Sequence, residues 1–230
     1  MKGFFRIKFR ILLVVYIYFL SGCDSYEIPI DDRPLDKILN QYVQDGIYPF
    51  LYVRLEDRNG KVIYEHSSVN QDILPGKSID GQTLIRIWSM SKIVTISLVM
   101  DLIEDKILDL DEPVTKYIPE FSDLKVATDD SGVSLTLVDS MKKVCPYELE
   151  PVNTVMTLRH LINHEAGFYY ATTKIECINS EMAKWNLPLA ENSDDLINKF
   201  ASLPLIQHPG ESDYYGTNTT ILGPVAERAT

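Results

Sequence analysis

Residues 84–95 read Leu-Ile-Arg-Ile-Trp-Ser-Met-Ser-Lys-Ile-Val-Thr, an apolar run that carries a serine and, three places later, a lysine. The pattern predicts an amphipathic helix that continues to about Asp105. With Ser89 at the start of this helix, Lys92 lies one turn further along the same face. Burial would lower the pKa of the lysine and make its neutral amine available as a base for an activated serine. The side chains expected to exclude water are Ile93, Val94 and Met100.

The Ser-x-x-Lys spacing occurs three times in the chain, so the spacing alone does not identify a site. Ser122 and Lys125 lie in a polar connection, and Ser140 and Lys143 lie in a charged stretch. Both pairs are expected to be solvated surface. Only Ser89 precedes an apolar helix that could bury its lysine. The alternative for Ser89 is an ordinary helix N-cap serine beside a lysine whose stem lies along apolar surface.

Composition excludes one class of partner. The chain has 230 residues, of which 45% are hydrophobic, enough to fill a sizeable core. Its formal net charge is −11. Nucleic-acid binding depends on a basic surface, so this balance argues against a nucleic-acid partner.

The first residues resemble a bacterial lipoprotein leader. Residues 1–22 combine four basic residues with an uncharged apolar run of signal-peptide length, and end in a Leu-Ser-Gly-Cys sequence similar to a lipobox. This implies that Cys23 is lipidated and anchors the protein to a membrane of the bacterial cell envelope, on the periplasmic or outer face. Residues 23–33 read as a tether. The alternative is an ordinary secretory signal with an incidental cysteine.

The remaining pattern mixes helices and strands. A helix is predicted over residues 34–44, followed by strands over 49–55 and 61–66 around Asn59-Gly60, a strong hairpin signal. Residues 122–153 are expected to form a long, mainly polar excursion. Further helices are predicted at 158–163, with Thr157 as N-cap, at 194–203, and after Tyr215 to the C-terminus.

Four stretches, in this order, resemble the serine β-lactamase and penicillin-binding-protein superfamily. The branch implied is that of class C β-lactamases, family VIII carboxylesterases and D-aminopeptidase-like enzymes. The resemblance implies an α/β (α+β) fold of the β-lactamase/transpeptidase type, an antiparallel sheet with a helical region, over residues 34–230. The matching stretches are Arg86-Ile-Trp-Ser-Met-Ser-Lys92, residues 108–121, Met156-Thr-Leu-Arg-His-Leu-Ile-Asn-His-Glu-Ala-Gly167, and Pro209-Gly210 through Leu222-Gly223.

By this resemblance Ser89 is the acylated nucleophile, Lys92 is its partner, and Tyr215 is the tyrosine of the second motif. Tyr214 is the competing assignment. Lys92 and Tyr215 would take the serine proton and pass it to the leaving group, and water would release the acyl-enzyme. The Ser89 N–H would stabilise the oxyanion. No cofactor and no metal are implied.

The second motif departs from the family pattern. The family most often has Tyr-x-Asn, whereas Thr217 stands at the third position here and Asn218 comes one place late. This weakens a β-lactamase assignment more than a hydrolase assignment. The substrates implied are an ester, a β-lactam, a D-amino-acid amide or a peptidoglycan-derived molecule.

The family's third motif, a Lys/His-x-Gly strand, is not found after Tyr215 in these 230 residues. The expectation is that the chain is a C-terminally truncated or split version that lacks the last strands and is poorly active alone. The alternative function is that of an inactive pseudoenzyme or a cell-envelope binding module with the same fold.

Two cysteines remain beside Cys23. Cys145 and Cys177 form an even pair in an oxidising compartment, so a disulfide is one prediction and two free buried thiols are the other.

Overall fold

The computed structural model describes residues 33–138 and 144–230. Within them the chain forms two compact units that divide between Ile85 and Arg86. The predicted signal peptide, the lipidation site Cys23 and most of the predicted tether lie outside the described residues.

The first unit is a helix followed by a β-hairpin. Helix α1 spans Arg33–Gln44, strand β1 spans Phe50–Glu56, and strand β2 spans Val62–Val69. The strands are antiparallel, with Phe50 opposite Val69 and Arg54 opposite Glu65. Gly60 has a φ of +81°, as the predicted Asn-Gly turn requires. The predicted hairpin is therefore confirmed.

Helix α1 lies against the hairpin through both apolar and polar contacts. Val43 and Tyr64 are buried, and the Tyr64 hydroxyl donates a 2.7 Å hydrogen bond to Asp36. The Asn70 amide donates to the Val43 carbonyl at 2.8 Å. These contacts stabilise a hairpin that, with only two strands, would otherwise be marginal.

The second unit is mainly helical. Its α-helices are α2 (Ser91–Glu104), α3 (Leu158–Ile162), α4 (Glu176–Trp185), α5 (Ser193–Ala201) and α6 (Asn218–Ala229). Its strands are β3 (Lys125–Thr128) and β4 (Glu148–Pro151). Short 3-10 helices span Trp88–Met90, Val114–Lys116, Pro119–Asp123 and Leu187–Leu189.

The predicted polar excursion at residues 122–153 is wrong in part, because β3 and β4 pair antiparallel within it. Val126 and Ala127 are fully buried. The Ala127 N–H donates to the Leu205 carbonyl at 2.7 Å, and the Leu205 N–H donates to the Lys125 carbonyl at 2.8 Å. Strand β3 thus depends on partners far away in sequence, which a local pattern does not reveal.

Helix α6 is the centre of the second unit. It contacts α2, α3 and α5 and buries Ile221, Leu222 and Val225. Thr157 and His160 form a capping box at the start of α3, which confirms the predicted N-cap. Arg228 in the last turn of α6 forms a bidentate ion pair with Glu120 at 2.9 Å.

Cys145 and Cys177 are joined by a disulfide in this structure. It closes a loop that includes residues 139–143 and helix α3. Of the other Ser-x-x-Lys pairs, Ser122 and Lys125 are both exposed, as expected, and the pair at 140 and 143 lies outside the described residues. Within residues 33–138 and 144–230, no helix is long and apolar enough to cross a membrane.

Candidate active site

Ser89 lies in the 3-10 turn Trp88–Met90, directly before helix α2. The N-cap of α2 is Met90, and no side chain caps the helix there. The interpretation of Ser89 as an ordinary N-cap serine is therefore wrong. Trp88 has a φ of +47°, an uncommon conformation for a residue with a Cβ, and such conformations concentrate at functional sites.

Lys92 is the centre of the polar cluster around Ser89. Its Nζ donates to the Ser89 Oγ at 3.4 Å and to the Tyr170 hydroxyl at 3.0 Å. The same Nζ lies 5.0 Å from the centre of the Tyr215 ring. The structure thus brings the three predicted residues together and adds Tyr170.

The predicted burial of this pair is wrong. Ile93 and Val94 are 69% and 65% exposed, and Met100 is 39% exposed, so these side chains do not exclude water from it. They point away because α2 contacts α6 through another face, which buries Val99 and Leu102.

The expected direction of the Lys92 pKa is wrong as well. Partial burial acts to lower the pKa of Lys92, but the hydroxyls of Tyr170 and Tyr215 outweigh it and leave the pKa above its ordinary value. Lys92 is therefore an ammonium group at neutral pH, and its role in the cluster is that of a cation.

Tyr215 is a tyrosine whose pKa the Lys92 cation helps to lower. Its pKa is lowered, first by its hydrogen bond with Ser89 and then by Lys92, although partial desolvation opposes the shift. Tyr214, the competing assignment, points elsewhere and lines a separate cavity with Leu135 and Ile206. Burial raises the pKa of Tyr214. The geometry favours Tyr215 as the base beside Ser89.

Thr217 and Asn218 are both buried and both bonded to the backbone. The Thr217 hydroxyl donates to the Tyr169 carbonyl at 3.1 Å, and the Asn218 amide donates to the Phe168 carbonyl at 3.1 Å. Neither residue takes the place of the motif's asparagine beside the lysine. Their bonds hold the loop that carries Tyr215 against the segment that leads to Tyr170.

Gly216 makes this contact possible. A Cβ at this position would lie 2.1 Å from the Phe168 carbonyl oxygen, so any larger residue would push the two segments apart. The Gly216 N–H donates to Nδ1 of His164 at 3.3 Å, and the ring of His164 lies 4.8 Å from the ring of Tyr215. Burial, followed by the charge of Lys92, lowers the pKa of His164, so the ring is neutral and accepts this bond.

Tyr170 is the residue that the sequence reasoning missed. It follows the segment His164-Glu-Ala-Gly167, which the resemblance treats as a structural turn. A signal was present, because three aromatic residues follow this turn, but nothing local shows which of them faces Lys92. The structure selects Tyr170, whereas Phe168 and Tyr169 are buried in the core.

The cluster is suited to proton transfer and nucleophilic attack. It contains a hydroxyl nucleophile, a cation, and a tyrosine whose pKa is lowered from its ordinary value. In the part of the chain that the structure describes, no three His, Cys, Asp or Glu side chains are placed to hold a metal ion.

Comparison with known proteins identifies the family of this chain. The Beta-lactamase family model matches residues 55–230. The chain is 29% identical over 220 residues to acyltransferase calJ of Penicillium decumbens, and the aligned region covers 91% of this chain and 47% of calJ. It is 30% identical over 157 residues to ML-236A carboxylate methylbutanoyltransferase mlcH of Penicillium citrinum, covering 68% of this chain and 34% of mlcH.

Among solved structures, EstCE1, a hydrolase with promiscuous acyltransferase activity, superposes with a TM-score of 0.64 at 22% identity, covering 86% of this chain and 46% of EstCE1. The chain thus spans about half, or less, of the length of these relatives. The fold is the predicted α/β fold of the β-lactamase type. This chain belongs to the beta-lactamase family.

Proposed function

We propose that this protein is a serine acyl-transfer enzyme that acts on carboxylic esters. The observation that carries the proposal is the position of Lys92, whose ammonium group reaches both the Ser89 Oγ and the Tyr170 hydroxyl and faces the ring of Tyr215. A cation in this position stabilises a tyrosinate beside the serine, and a tyrosinate is a competent base.

In the first half-reaction, Tyr215 accepts the Ser89 proton as the Oγ attacks the ester carbonyl. The new bond joins Oγ to the acyl carbon, and the bond from that carbon to the alcohol oxygen breaks. Tyr215 returns the proton to the departing alkoxide. The Ser89 N–H is the proposed donor to the oxyanion, since a backbone amide held in place needs no reorganisation during the reaction.

In the second half-reaction, water or a second alcohol gives its proton to Tyr215 and attacks the acyl carbon. Ser89 regains its proton when the acyl group leaves. Water as acceptor gives hydrolysis, and an alcohol gives a new ester. The names of calJ and mlcH describe acyl transfer, which favours an ester over a β-lactam or a D-amino-acid amide as substrate.

The test is acylation of Ser89, read by intact mass. Incubation with p-nitrophenyl acetate should add one acetyl group and release p-nitrophenol in a burst. Ser89→Ala should remove both signals, and Ser122→Ala, in the exposed second Ser-x-x-Lys pair, should keep them.

The alternative function, an inactive binding module of the same fold, predicts no adduct that depends on Ser89. A fluorescent penicillin and a D-phenylalanine amide, tested in parallel, show whether a lactam or an amide is preferred to the ester. Faster acylation by the penicillin than by the ester would contradict the ester proposal.

We also propose that Cys23 carries a lipid anchor and places the protein in the bacterial cell envelope. The support is the sequence of residues 1–23 alone. In a bacterial host, labelled palmitate should be incorporated into the full chain and not into Cys23→Ser. Equal labelling of both would contradict the proposal.

A further inference from the structure

A cavity of about 450 Å³ opens next to the polar cluster. This volume is in the range of small-molecule sites in proteins, roughly 300–1,000 Å³. Its apolar walls come from helices α4 and α5 and the 3-10 turn between them. The larger apolar side chains that line it are Met182, Leu187, Pro188, Leu196 and Phe200.

Tyr170 connects this cavity to the reacting serine. One side of Tyr170 lines the cavity, while its hydroxyl accepts the 3.0 Å hydrogen bond from Lys92. Lys92 in turn lies 3.4 Å from the Ser89 Oγ. Thr217, two residues after Tyr215, lines the cavity as well. Two side chains, Tyr170 and Lys92, therefore connect the cavity to the nucleophile.

The lining determines what the cavity can hold. None of the described residues that line it is charged. The Thr217 hydroxyl is engaged by the Tyr169 carbonyl, and the Tyr170 hydroxyl is engaged by Lys92. The two other polar lining residues, Asn186 and Thr220, are neutral and exposed. A charged group placed here would lose part of its water and gain no oppositely charged partner, which is unfavourable, whereas an alkyl group gains buried contacts.

We propose that this cavity binds the acyl chain of the substrate and that this chain is an uncharged aliphatic group. This inference rests on the proposed ester chemistry at Ser89 and adds the substrate class. The acyl chain is the part that belongs here because it stays bound through both half-reactions. The alcohol must be exchanged, and Ser89 and the 56%-exposed Tyr215 leave an open side for that exchange.

The proposal is tested first by binding, without any reaction. 2-Octanone has an ester-like carbonyl and a hexyl chain and cannot be hydrolysed. Its dissociation constant for the full chain is measured by ligand-observed NMR. We expect Ala183→Trp, which places a large side chain at the exposed lining position of α4, to weaken binding at least tenfold.

Ser180→Trp is the matched control, because Ser180 is also exposed on α4 but does not line the cavity. It should bind 2-octanone like the unaltered chain. Thr220→Phe places a large side chain in the cavity from α6 and should also weaken binding, which provides a second test if Ala183→Trp does not fold. Circular dichroism measures whether all three variants are folded. The proposal would be overturned if the unaltered chain did not bind 2-octanone, or if Ala183→Trp and Thr220→Phe both bound it as tightly as the unaltered chain.

Charge is tested with hexylammonium, which has the same chain length and a positive head. It should bind at least tenfold more weakly than 2-octanone, and equal binding would overturn the assignment of a neutral ligand.

Reactivity separates this inference from the proposed function. Acylation of Ser89 should become roughly fourfold faster for each methylene added between p-nitrophenyl acetate and the hexanoate, if each methylene is buried. Ala183→Trp should remove this dependence on chain length, and Ser180→Trp should keep it. Binding of 2-octanone with no acylation by either ester would refute the ester chemistry and leave the ligand class of the cavity standing. Acylation by acetate with no gain from longer chains would refute the acyl-chain site and leave the ester chemistry standing.

Discussion

At the scale of single residues, the proposed base is Tyr215 and not Lys92, whose ammonium group is the cation of the cluster. The hydroxyls of Tyr170 and Tyr215 raise the pKa of Lys92, and the hydrogen bond with Ser89 followed by the Lys92 cation lowers the pKa of Tyr215. A free tyrosine ionises near pH 10, and a general base works best when its pKa is near the working pH. The hydrogen bond with Ser89 and the Lys92 cation together bring the tyrosine closer to this condition.

This pairing predicts the direction of a titration. Tyr215 should form its phenolate at a lower pH than an ordinary tyrosine, seen as the difference in 295 nm absorbance between the unaltered chain and Tyr215→Phe. Lys92→Gln removes the cation and should move this titration to higher pH. The acylation rate should rise with pH along the same curve, and its loss in Tyr215→Phe should be about 10²- to 10⁴-fold. The pairing would be contradicted if Tyr215 titrated at the same pH in Lys92→Gln as in the unaltered chain.

Tyr170 gives a second prediction at this scale. Tyr170→Phe removes a hydrogen bond to a charged donor, so Lys92 should be held less firmly toward Ser89. We expect the rate of Ser89 acylation to fall about tenfold, in line with the loss of one charged hydrogen bond. Because Tyr170 acts through Lys92, the variant should also shift the pH dependence of the rate.

Tyr214→Phe is the control for Tyr170→Phe, because the Tyr214 side chain lines a different cavity. It should change neither the acylation rate nor its pH dependence. Equal effects of the two variants would mean that Tyr170 contributes only to general packing.

At the scale of elements, the site depends on two segments whose backbones touch at Gly216. Gly216→Ala should separate the segments that carry Tyr170 and Tyr215, because the added methyl group meets a carbonyl oxygen at 2.1 Å. We expect a loss of about 1–3 kcal/mol in the free energy of unfolding, as for overpacking, and a larger relative loss of acylation rate. Chemical denaturation measures the first and p-nitrophenol release the second.

Gly223→Ala is the contrasting variant in helix α6. A Cβ there meets nothing within 4 Å, and the residue lies inside a helix. It should stabilise the protein by about 0.5–1 kcal/mol, since alanine restricts the unfolded chain more than glycine does. Destabilisation by Gly223→Ala equal to that by Gly216→Ala would show that the close contact is not the cause.

The elements that sequence predicts well are those with local signals. The hairpin at Asn59-Gly60 and the capping box at Thr157 are fixed by residues next to each other in the chain. Strands β3 and β4 were missed because β3 gains its partners from β4 and from Leu205, far away in sequence. Ser89, Lys92 and Tyr215 follow from motif spacing, but Tyr170 needs the fold to bring it to Lys92.

The exposure of the apolar side chains of α2 is the other feature that the sequence pattern did not predict. Its apolar residues lie on all sides of the helix and not on a single face, so the sequence does not indicate which face packs against a neighbour. In the structure α6 covers only the face with Val99 and Leu102.

At the scale of the molecule, Arg228 joins three separate parts of the second unit. Its guanidinium binds Glu120 in a bidentate pair at 2.9 Å and Asp194 at 2.7 Å. Arg228 lowers the pKa of Glu120, so the stabilisation is present above the unfolded-state pKa of a glutamate and is lost as the pH falls through the lower, folded-state value.

Glu120→Gln should therefore cost about 1.5–3 kcal/mol of stability at pH 7, where the charged hydrogen bonds are intact. The difference from the unaltered chain should shrink below about pH 4, where the free carboxyl is protonated. Asp194→Asn is the control, because the Asp194 side chain is 78% exposed and such pairs contribute little. Urea unfolding at both pH values measures these differences, and an effect of Glu120→Gln that is constant with pH would contradict the ionic origin.

The exposed Trp88 has a spectroscopic consequence. The chain has two tryptophans, and Trp88, beside Ser89, is 78% exposed. In a Trp185→Phe background its emission reports on the immediate surroundings of the nucleophile. Any ligand, acyl group or protein surface that covers Ser89 will shift that emission to the blue and shield it from soluble quenchers, so occupancy of the site can be followed in real time without a chromogenic substrate.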